Sequence, residues 1–433
     1  GEGNVVAASG ASSSAEDLPV ALREPSERAG SGIVIALVLA NIAMYVSLIP
    51  VLSILLPVQI QDFNSADKIS LLGLASGVGA LLGLVINPLV GALSDRTTSR
   101  FGRRRPWLLV GTLLTVASYM LMMSAQNVAV LILGYWLFAS FYNFIMPPIT
   151  ALLPDRIPVR QRGTVSGLVG TATPLGIIIG SVLVGTLIQD TVTRYLVLSG
   201  IVFVVLLPIA FLIPDKPLPK GYLPPFKMGA FLKSFWISPR KHPDFGLAWL
   251  ARFVMFLGYF GVTNYLLYYL QDVIHYDKLF PGQTVAQGVA TANIFSTVMM
   301  IIAAVLGGII SDHFKRRKIF VVLSGIMIAL ALALLVFLPT WTGVLVAESV
   351  MGFGFGAYMA VDQALVTEVL PSSSDRGKDL GVINIANTLP QSLAPIAAAP
   401  LLNATHNYGV LFLLGAVIAL LGAFVVLPIR NVR

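Results

Sequence analysis

The sequence contains no cysteine and few charged residues, and each shortage excludes a class of protein. Charged residues make up 11% of the 433 residues, whereas hydrophobic residues make up 56%. An ordinary soluble chain is about 25% charged. So few charges cannot cover the water-facing surface of a soluble enzyme of this length, and so many apolar residues exclude a disordered chain. The absence of cysteine excludes disulfides and thiolate metal sites.

Patterns of catalysis and ATP hydrolysis are missing as well. The four histidines lie far apart without metal-ligand spacing, and no Gly-x-x-x-x-Gly-Lys-Ser/Thr loop occurs. We therefore expect neither an enzyme nor an ATP-driven pump, with no metal and no cofactor. The first residues lack the basic-then-apolar order of a secretory signal, and they predict a disordered cytoplasmic tail over residues 1–30.

Long stretches without charge are present instead, and they predict twelve membrane-spanning helices in an all-α integral membrane fold. A helix needs about 20 apolar residues to cross the hydrocarbon. The two longest stretches, Arg105 to Asp155 and Asp379 to Arg430, are each long enough for two spans. The predicted spans are 32–61, 68–94, 105–124, 128–153, 163–188, 195–214, 245–272, 284–311, 318–339, 341–370, 379–402 and 408–429.

The distribution of positive charge predicts the orientation of these spans. The formal net charge is +8, but its position argues against nucleic acid as a partner. Lys68, Arg194 and Lys278 fall on one side of the predicted spans and Arg252 lies within a span, whereas all other Lys and Arg fall on the opposite side. This asymmetry predicts a multi-pass protein of the cell membrane with both termini in the cytoplasm.

The chain divides into two similar halves. The predicted domains are an N-terminal six-helix bundle over 31–214, a basic cytoplasmic linker over 215–244 and a C-terminal six-helix bundle over 245–433. Three pairs of acidic or basic residues at span ends, Asp95 with Asp312, Asp155 with Glu368, and Arg162 with Arg376, recur at separations of 213 to 217 residues. Such a recurrence indicates an internal duplication.

Polar residues follow a period of three spans. Spans 3, 6, 9 and 12 are apolar all round, which is typical of contact with lipid, whereas spans 1, 4, 7 and 10 carry most of the polar side chains. Because polar groups inside a membrane are costly unless they face a cavity, we expect the first span of each triplet to line a central passage. The predicted substrate-binding residues are Asn41, Tyr45, Tyr142, Asn143, Asn264, Tyr268, Gln271, Asn293, Asn384, Asn387 and Gln391, with Thr388 on the same face of span 11.

The loop after span 2 carries a recognisable motif. It reads Gly91-Ala-Leu-Ser-Asp95-Arg96, followed by Gly102-Arg103-Arg104-Arg105-Pro106. The loop resembles the cytoplasmic signature of the major facilitator superfamily. It is longer than the general signature, and in this form it resembles the branch of plant sucrose transporters and animal proton-coupled sugar transporters. It is also similar to the loop of the glycoside–pentoside–hexuronide symporters. The resemblance implies two pseudo-symmetric six-helix bundles that transport a solute by alternating access.

The same motif predicts a gate on the cytoplasmic side. Gly91 would permit close helix approach, Asp95 would face the start of span 11, and the arginines would reach Asp155. Such a latch would hold the inner side closed. The predicted gate residues are Gly91, Asp95, Arg96, Gly102, Arg103, Arg104, Asp155, Arg162, Asp312, Arg316, Glu368 and Arg376.

The coupling sites of the resembling families are absent here. Sucrose-transporter relatives have an Asp in span 4 where Ala139 stands, and melibiose-type symporters have carboxylates where Gly83 and Asn87 stand. Arg252 and Asp362 instead lie at similar depth in two cavity-lining spans, so they are expected to pair, either as a proton-coupling site or as a permanent structural bridge. Glu348 is a third candidate for proton coupling, an outer gate or a buried neutral acid.

Three functions remain open on the sequence. The first is a proton-driven symporter of a sugar or glycoside that works as a monomer, because amides that donate and accept hydrogen bonds suit hydroxyl-rich rings. The second is a proton antiporter that exports drugs or amphipathic metabolites, with a cavity of Phe141, Phe144, Met146, Phe256 and Phe295. The third is a sensor or scaffold that does not transport, against which the motif in both halves argues.

Overall fold

The computed structural model describes residues 18–369 and 376–430. A few side chains within this range are not described, namely those of Gly308, Ser311, Asp312, Gln363, Ala364, Thr367 and 376–380. The predicted disordered tail therefore lies outside the described residues over 1–17. In the remainder, the backbone N–H of Ala29 donates to Gln161 at 2.7 Å and Glu24 pairs with Arg162 at 2.9 Å.

Twelve long helices make up the described part of the chain, in which no strand occurs. They are α1 Ser31–Phe63, α2 Lys68–Asp95, α3 Arg105–Met123, α4 Val128–Arg156, α5 Val159–Leu187, α6 Thr191–Leu212, α7 Pro243–Thr263, α8 Val285–Phe314, α9 Lys318–Phe337, α10 Trp341–Val369, α11 Arg376–Thr405 and α12 Tyr408–Phe424. Among the described residues, ten helices have the length and mean hydropathy to cross a membrane. The apolar α12 is shorter at 17 residues, and α11 has 30 residues. The predicted all-α membrane fold is confirmed.

Two of the helices are irregular for identifiable reasons. Pro50 lies inside α1 and is followed by a π-helical turn over Val51–Leu55, since proline has no N–H to continue the ladder. The seventh span was predicted to be continuous over 245–272, but α7 ends at Thr263. After a two-residue interruption the chain continues as a short helix over Leu266–Tyr269 and a π-helical turn over Leu270–Ile274. At this break the side chain of Asn264 donates to the carbonyl of Phe260 at 3.0 Å, which competes with the backbone ladder.

The helices pack as two sets of six. Equivalent helices contact each other within each set, and the contacts between the two sets are reciprocal. In the first set, α3 packs on α4 and α6, and α1 packs on α5 and α6; in the second, α9 packs on α10 and α12, and α7 packs on α11 and α12. The sets meet where α2 packs on α11 and α5 packs on α8. The second helix of each half therefore contacts the fifth helix of the other, as a duplicated chain related by a pseudo-twofold axis requires.

The halves are in contact on one side of the membrane only. We call the side with Asp95 and Arg156 the basic side and the opposite one the far side. Among the described residues, side-chain hydrogen bonds between the halves lie from the middle of the spans to the far side, as in Thr284 to Gln189 at 2.7 Å and Ser392 to the carbonyl of Gly77 at 2.7 Å. On the basic side α5 is exposed over much of 163–171. The passage between the halves therefore opens to the basic side.

Close approach of α2 and α11 depends on Gly73. A Cβ at this position would lie 2.8 Å from Ala399 Cβ and 2.9 Å from the carbonyl oxygen of Pro395. Both distances are too short for carbon contacts, and neither neighbour has a long side chain that could move away. The far-side closure thus requires glycine at this position.

We expect Gly73→Ala to destabilise the closed far side by about 1–3 kcal/mol, because the added methyl overpacks the helix contact. Gly163→Ala is the matched control, since a Cβ there would meet nothing within 4 Å. Thermal unfolding of both purified variants in detergent measures the difference, with a lower Tm for Gly73→Ala alone. Equal Tm values for the two variants would contradict this packing.

Candidate functional site

A buried ion pair joins α7 to α10 in the second half. Arg252 Nε donates to Asp362 Oδ2 at 2.6 Å, and the two side chains are 2% and 0% exposed. The structure therefore brings together the two charges that the sequence placed at similar depth. Because an unpaired charge in hydrocarbon costs several kcal/mol, each side chain depends on the other for its place in the core.

The pair does not use all of its hydrogen-bonding capacity. Asp362 Oδ1, Arg252 Nη2 and the hydroxyl of Tyr358 have no hydrogen-bond partner among the described residues. Tyr358 precedes Asp362 by one helical turn, and its buried ring lies beside the pair. The hydroxyl of Tyr358 is thus a polar neighbour of both charges, and Asp362 Oδ1 itself makes no well-formed hydrogen bond among the described residues.

Glu348 forms a separate acidic position on α10. It precedes Asp362 by 14 residues, which is about 21 Å along a helix. The side chain is buried at 7% exposure, and it has no basic partner within 4 Å among the described residues. Its neighbour is Tyr259, whose ring stacks on Phe355 at 4.3 Å. Glu348 and the Arg252–Asp362 pair are therefore two sites rather than one.

Amide side chains of the first half form a polar group between α2 and α4. Asn87 donates to Asn143 Oδ1 at 2.9 Å, and Asn143 donates to the carbonyl of Ala139 at 2.7 Å. Asn87 was noted in the sequence only as a replacement for a carboxylate, so the structure adds it to the candidate set. Asn41 on α1 is half-buried and donates to the carbonyl of Leu37 in its own helix.

Two tyrosines of the first half differ in exposure. Tyr142 is 5% exposed and its hydroxyl donates to the carbonyl of Met44 at 2.9 Å, so it joins α4 to α1. Tyr45 on α1 is half-buried. Of the two predicted substrate contacts, Tyr45 is therefore the more accessible.

The polar face of α11 is the most accessible part of the predicted site. Asn384 is exposed, and Asn387, Thr388 and Gln391 are half-buried. Their hydrogen bonds stay within the helix, since Gln391 donates to the carbonyl of Asn387 at 3.2 Å and Thr388 to that of Asn384 at 2.9 Å. The oxygen of the Asn387 side chain has no partner among the described residues. This face can therefore bind a solute that both donates and accepts hydrogen bonds.

The lower part of the seventh span does not line the cavity as predicted. Tyr268 is fully buried, its hydroxyl donates to the carbonyl of Pro57 at 2.8 Å, and Lys68 Nζ lies 4.7 Å from its ring centroid. It belongs to the far-side closure because the chain turns at Asn264. Gln271 follows near the same end, half-buried. Asn293 on α8 lies 3.5 Å from Ser181 on α5 and so sits at the contact between the halves.

The aromatic residues predicted for a drug-binding cavity are dispersed. Phe256 is 3% exposed and packs on Phe355 and Tyr358, whereas Phe295 on α8 is 44% exposed. Phe144 packs edge-on against Trp107 of α3. Phe141 and Phe144 contact each other edge-on at 5.4 Å, but among the described residues no ring contact joins them to Phe256 or Phe295.

The arginines after α2 form an ion-pair cluster on the basic side. Arg104 bonds Asp95 at 2.6 Å and Asp155 at 3.0 Å, and Arg103 bonds Asp155 at 3.1 Å. Burial alone would lower the pKa of Arg104, but the carboxylates of Asp155 and Asp95 outweigh it and raise that pKa above its ordinary value. These contacts all lie within the first half, and they are formed while the basic side is open. They stabilise α2, α3 and α4 against one another and cannot by themselves hold the halves together.

Asp215 completes this cluster and was missed in the sequence, where it marked the start of the linker. Its Oδ2 accepts the backbone N–H of Arg104 at 2.6 Å and of Arg105 at 3.0 Å, so it caps α3 from the end of α6. Gly102 has a φ of +137°, and a Cβ there would lie 2.5 Å from the same carboxylate. The glycine of the motif is thus required by Asp215.

The other predicted gate residues have local roles where they are described. Arg96 donates to the carbonyl of Ala92 in its own helix at 3.0 Å, and Arg162 donates to the carbonyls of Ile157 and Pro154. Gly91 does not mediate a close approach, because a Cβ there would make only an ordinary contact with Pro147 at 3.7 Å.

The second half has a smaller basic-side contact. Arg317, next to the predicted Arg316, lies 3.5 Å from Glu368. The side chains of Asp312 and Arg376, and the contact predicted between Asp95 and the start of α11, lie outside the described residues.

A second ion-pair cluster closes the far side between the halves. Lys68 on α2 bonds Asp272 at 2.9 Å, and Tyr408 of α12 donates to the other oxygen of Asp272 at 2.9 Å. Lys68 also donates to Gln61 at 3.2 Å. Among the described residues this is the one ion pair that joins the two halves. Sequence reasoning had used Lys68 only to assign orientation.

Comparison with known proteins places this geometry among transporters. A model of the Major Facilitator Superfamily matches residues 32–307 and 282–433. A solved bacterial homologue of the human lysosomal transporter Spinster, in an inward-facing and unoccupied conformation, is similar with a TM-score of 0.70 at 18% identity, covering 92% of this chain and 98% of that one. At this identity the similarity shows the fold.

Curated relatives are similar over shorter stretches. The sucrose transport protein SUC3 of Arabidopsis thaliana is 32% identical over 124 residues, which is 24% of this chain and 21% of that protein. The cis,cis-muconate transport protein of Acinetobacter baylyi is 26% identical over 253 residues, which is 56% of this chain and 58% of that protein. The chain thus matches less than two thirds of the length of either relative.

We expect either Arg252→Ala or Asp362→Ala alone to lower stability by about 3–5 kcal/mol, because each leaves one buried charge without a partner. The double variant Arg252→Met with Asp362→Leu removes both charges at similar volume and should unfold close to the wild type. Thermal unfolding in detergent compares the three proteins. Single variants that unfold like the wild type would show that the pair is not buried as described.

Proposed function

The chain belongs to the Major Facilitator Superfamily of membrane transporters, and we propose that it moves a small polar solute, a sugar or glycoside, together with a proton by alternating access. The family membership confirms the resemblance seen in the loop from Gly91 to Arg105. In this proposal the protein works as a monomer in the cell membrane with both termini in the cytoplasm. The proton gradient supplies the driving force, and no cofactor takes part.

The observation that carries the proposal is the buried Arg252–Asp362 pair. When Asp362 is ionised it neutralises the guanidinium of Arg252, and when it is protonated the positive charge of Arg252 is left. The two protonation states of the pair therefore differ by one charge in the core of the second half. Protonation of Asp362 frees Arg252 to find another partner, which shifts the packing of α7 against α10. In this proposal the proton binds Asp362 Oδ1, which makes no well-formed hydrogen bond among the described residues and lies beside the Tyr358 hydroxyl.

Glu348 extends the same proposal toward the far side. It is buried without a basic partner among the described residues, so its charged form is costly. A proton that enters from the far side can bind Glu348 before it reaches Asp362, about 21 Å away along α10. We assign Glu348 the role of an outer proton station on this ground.

The polar wall of the passage favours a neutral substrate with many hydroxyl groups. The polar side chains that support this are the amides and hydroxyls of α11 together with the half-buried Asn87 and Asn143 of the first half. Amides donate and accept at once, as sugar hydroxyls do. Arg252 is already neutralised by Asp362, so it offers no free positive charge to an anion while that pair is formed.

A second candidate substrate is a small dicarboxylate. The muconate transport relative matches 56% of this chain, whereas the sucrose transport relative matches 24%. A carboxylate group would need Arg252 as its partner, which is available only after Asp362 has accepted a proton. The neutral sugar and the dicarboxylate therefore differ in charge, and competition experiments with each compound distinguish them.

We expect purified protein in proteoliposomes to accumulate a labelled sugar or glycoside when the outside is acidified, and to stop when a protonophore collapses the gradient. A panel of neutral mono- and disaccharides, with cis,cis-muconate as the charged alternative, identifies the substrate class. In Asp362→Asn the gradient should no longer drive accumulation, while exchange of internal for external substrate continues, because the permanently neutral side chain uncouples the proton from the movement.

The control for this experiment is Asp277→Asn, which changes an exposed acid outside the spans and should leave uptake unaltered. Uptake of sugar that ignores the proton gradient would reject symport. Competition by muconate and by no sugar would replace the sugar by a dicarboxylate. Loss of both accumulation and exchange in Asp362→Asn, in protein that still folds, would assign the pair a structural role only.

A further inference from the structure

The segment between α6 and α7 has an unusual charge distribution. Residues 216–242 contain six Lys or Arg and no Asp or Glu. The segment follows the end of α6 at Leu212 and leads into α7 at Pro243, and both of these helix ends lie on the basic side. The segment is therefore held at the membrane surface by two spans, within a few residues of the hydrocarbon at either end.

One face of this segment packs on the protein. The ring of Phe231 lies 5.4 Å from that of Phe226 and 4.9 Å from that of Phe235. Phe235 lies against Gly381 near the start of α11, and Ile237 packs against the buried core. The aromatic face thus anchors the short helix Met228–Lys233 to the basic end of the second half.

The other face presents large apolar side chains that no described residue covers. Met228 is 51% exposed, Leu232 is 60% exposed and Trp236 is 68% exposed. Met228 and Leu232 lie one turn apart on the short helix and so share a face, and Trp236 follows three residues after the helix ends. We call these three residues the outer linker face. Apolar groups of this size are rarely left in water in one patch, so the face requires an apolar surrounding.

Positive charges border the outer linker face. Lys227 and Lys233 flank it directly, and Arg240 and Lys241 follow. All four side chains are exposed, and within the described residues none forms an ion pair with a carboxylate. Their charge is thus not neutralised by the protein and is available to an anionic surface.

We propose that the outer linker face lies in the headgroup region of the leaflet on the basic side and that Lys227 and Lys233 bind anionic lipid headgroups there. An in-plane segment with apolar side chains toward the acyl boundary and lysines toward phosphates is typical of interfacial anchors. Trp236 is suited to this depth because its ring is apolar and its N–H is polar. The surrounding membrane, rather than another protein, is the occupant that fits both the position and the charge.

The absence of native cysteine makes a direct test possible, since one introduced cysteine carries one spin label. Leu232→Cys is labelled in the full chain and placed in nanodiscs of phosphatidylcholine alone or of equal parts phosphatidylcholine and phosphatidylglycerol. Lys220→Cys, on the same linker outside the apolar face, is the control position. We expect the label at 232 to be protected from an aqueous nickel reagent and accessible to oxygen, more strongly with phosphatidylglycerol, and the label at 220 to remain accessible to nickel.

The charge requirement is tested in the same system. Lys227→Gln with Lys233→Gln should abolish the effect of phosphatidylglycerol at position 232, whereas Lys278→Gln, an exposed lysine on the far side, should leave it unchanged. Equal nickel access at 232 and 220 in both lipids would overturn the proposal. Protection that ignores lipid charge and both lysines would overturn the anionic preference, and protection from nickel and oxygen alike would indicate a protein contact instead.

Discussion

A charge inside the hydrocarbon of a membrane must be paired or neutralised, and the arrangement of this chain follows from that requirement. The second half buries Arg252 in α7, and Asp362 of α10 neutralises it at 2.6 Å. That contact fixes the positions of two helices that border the passage. A proton on the carboxylate would leave the charge of Arg252 without a counter-charge. The same ion pair that stabilises the fold is therefore sensitive to protonation.

The relation between the halves rests on a different kind of contact. Where α2 meets α11, small residues such as Gly73 allow the backbones to approach. Lys68 and Asp272 add one ion pair at the edge, partly accessible to water. Exposed ion pairs contribute little stability and are easily broken. A close interface with one peripheral ion pair is compatible with two halves that separate and rejoin as rigid bodies.

Much of the fold could be predicted because it depends on local composition. The spans follow from stretches without charge, and the pairing of Arg252 with Asp362 follows from the cost of charges at equal depth. Other features depend on contacts between distant parts of the chain. Asp215 caps α3 across more than a hundred residues, and no local pattern announces it. Tyr268 was placed in the cavity because a straight span was assumed, whereas the break at Asn264 turns it into the far-side closure.

The function depends on whether the halves exchange the open side of the passage. Two pairs of spin labels report this in the cysteine-free chain, one across the far side at Ser65→Cys and Ala404→Cys, the other across the basic side at Leu168→Cys and Ile309→Cys. All four positions are exposed. Removing the far-side ion pair with Lys68→Ala should lengthen the first distance and shorten the second in the same sample. An increase in the first distance with no change in the second would contradict alternating access.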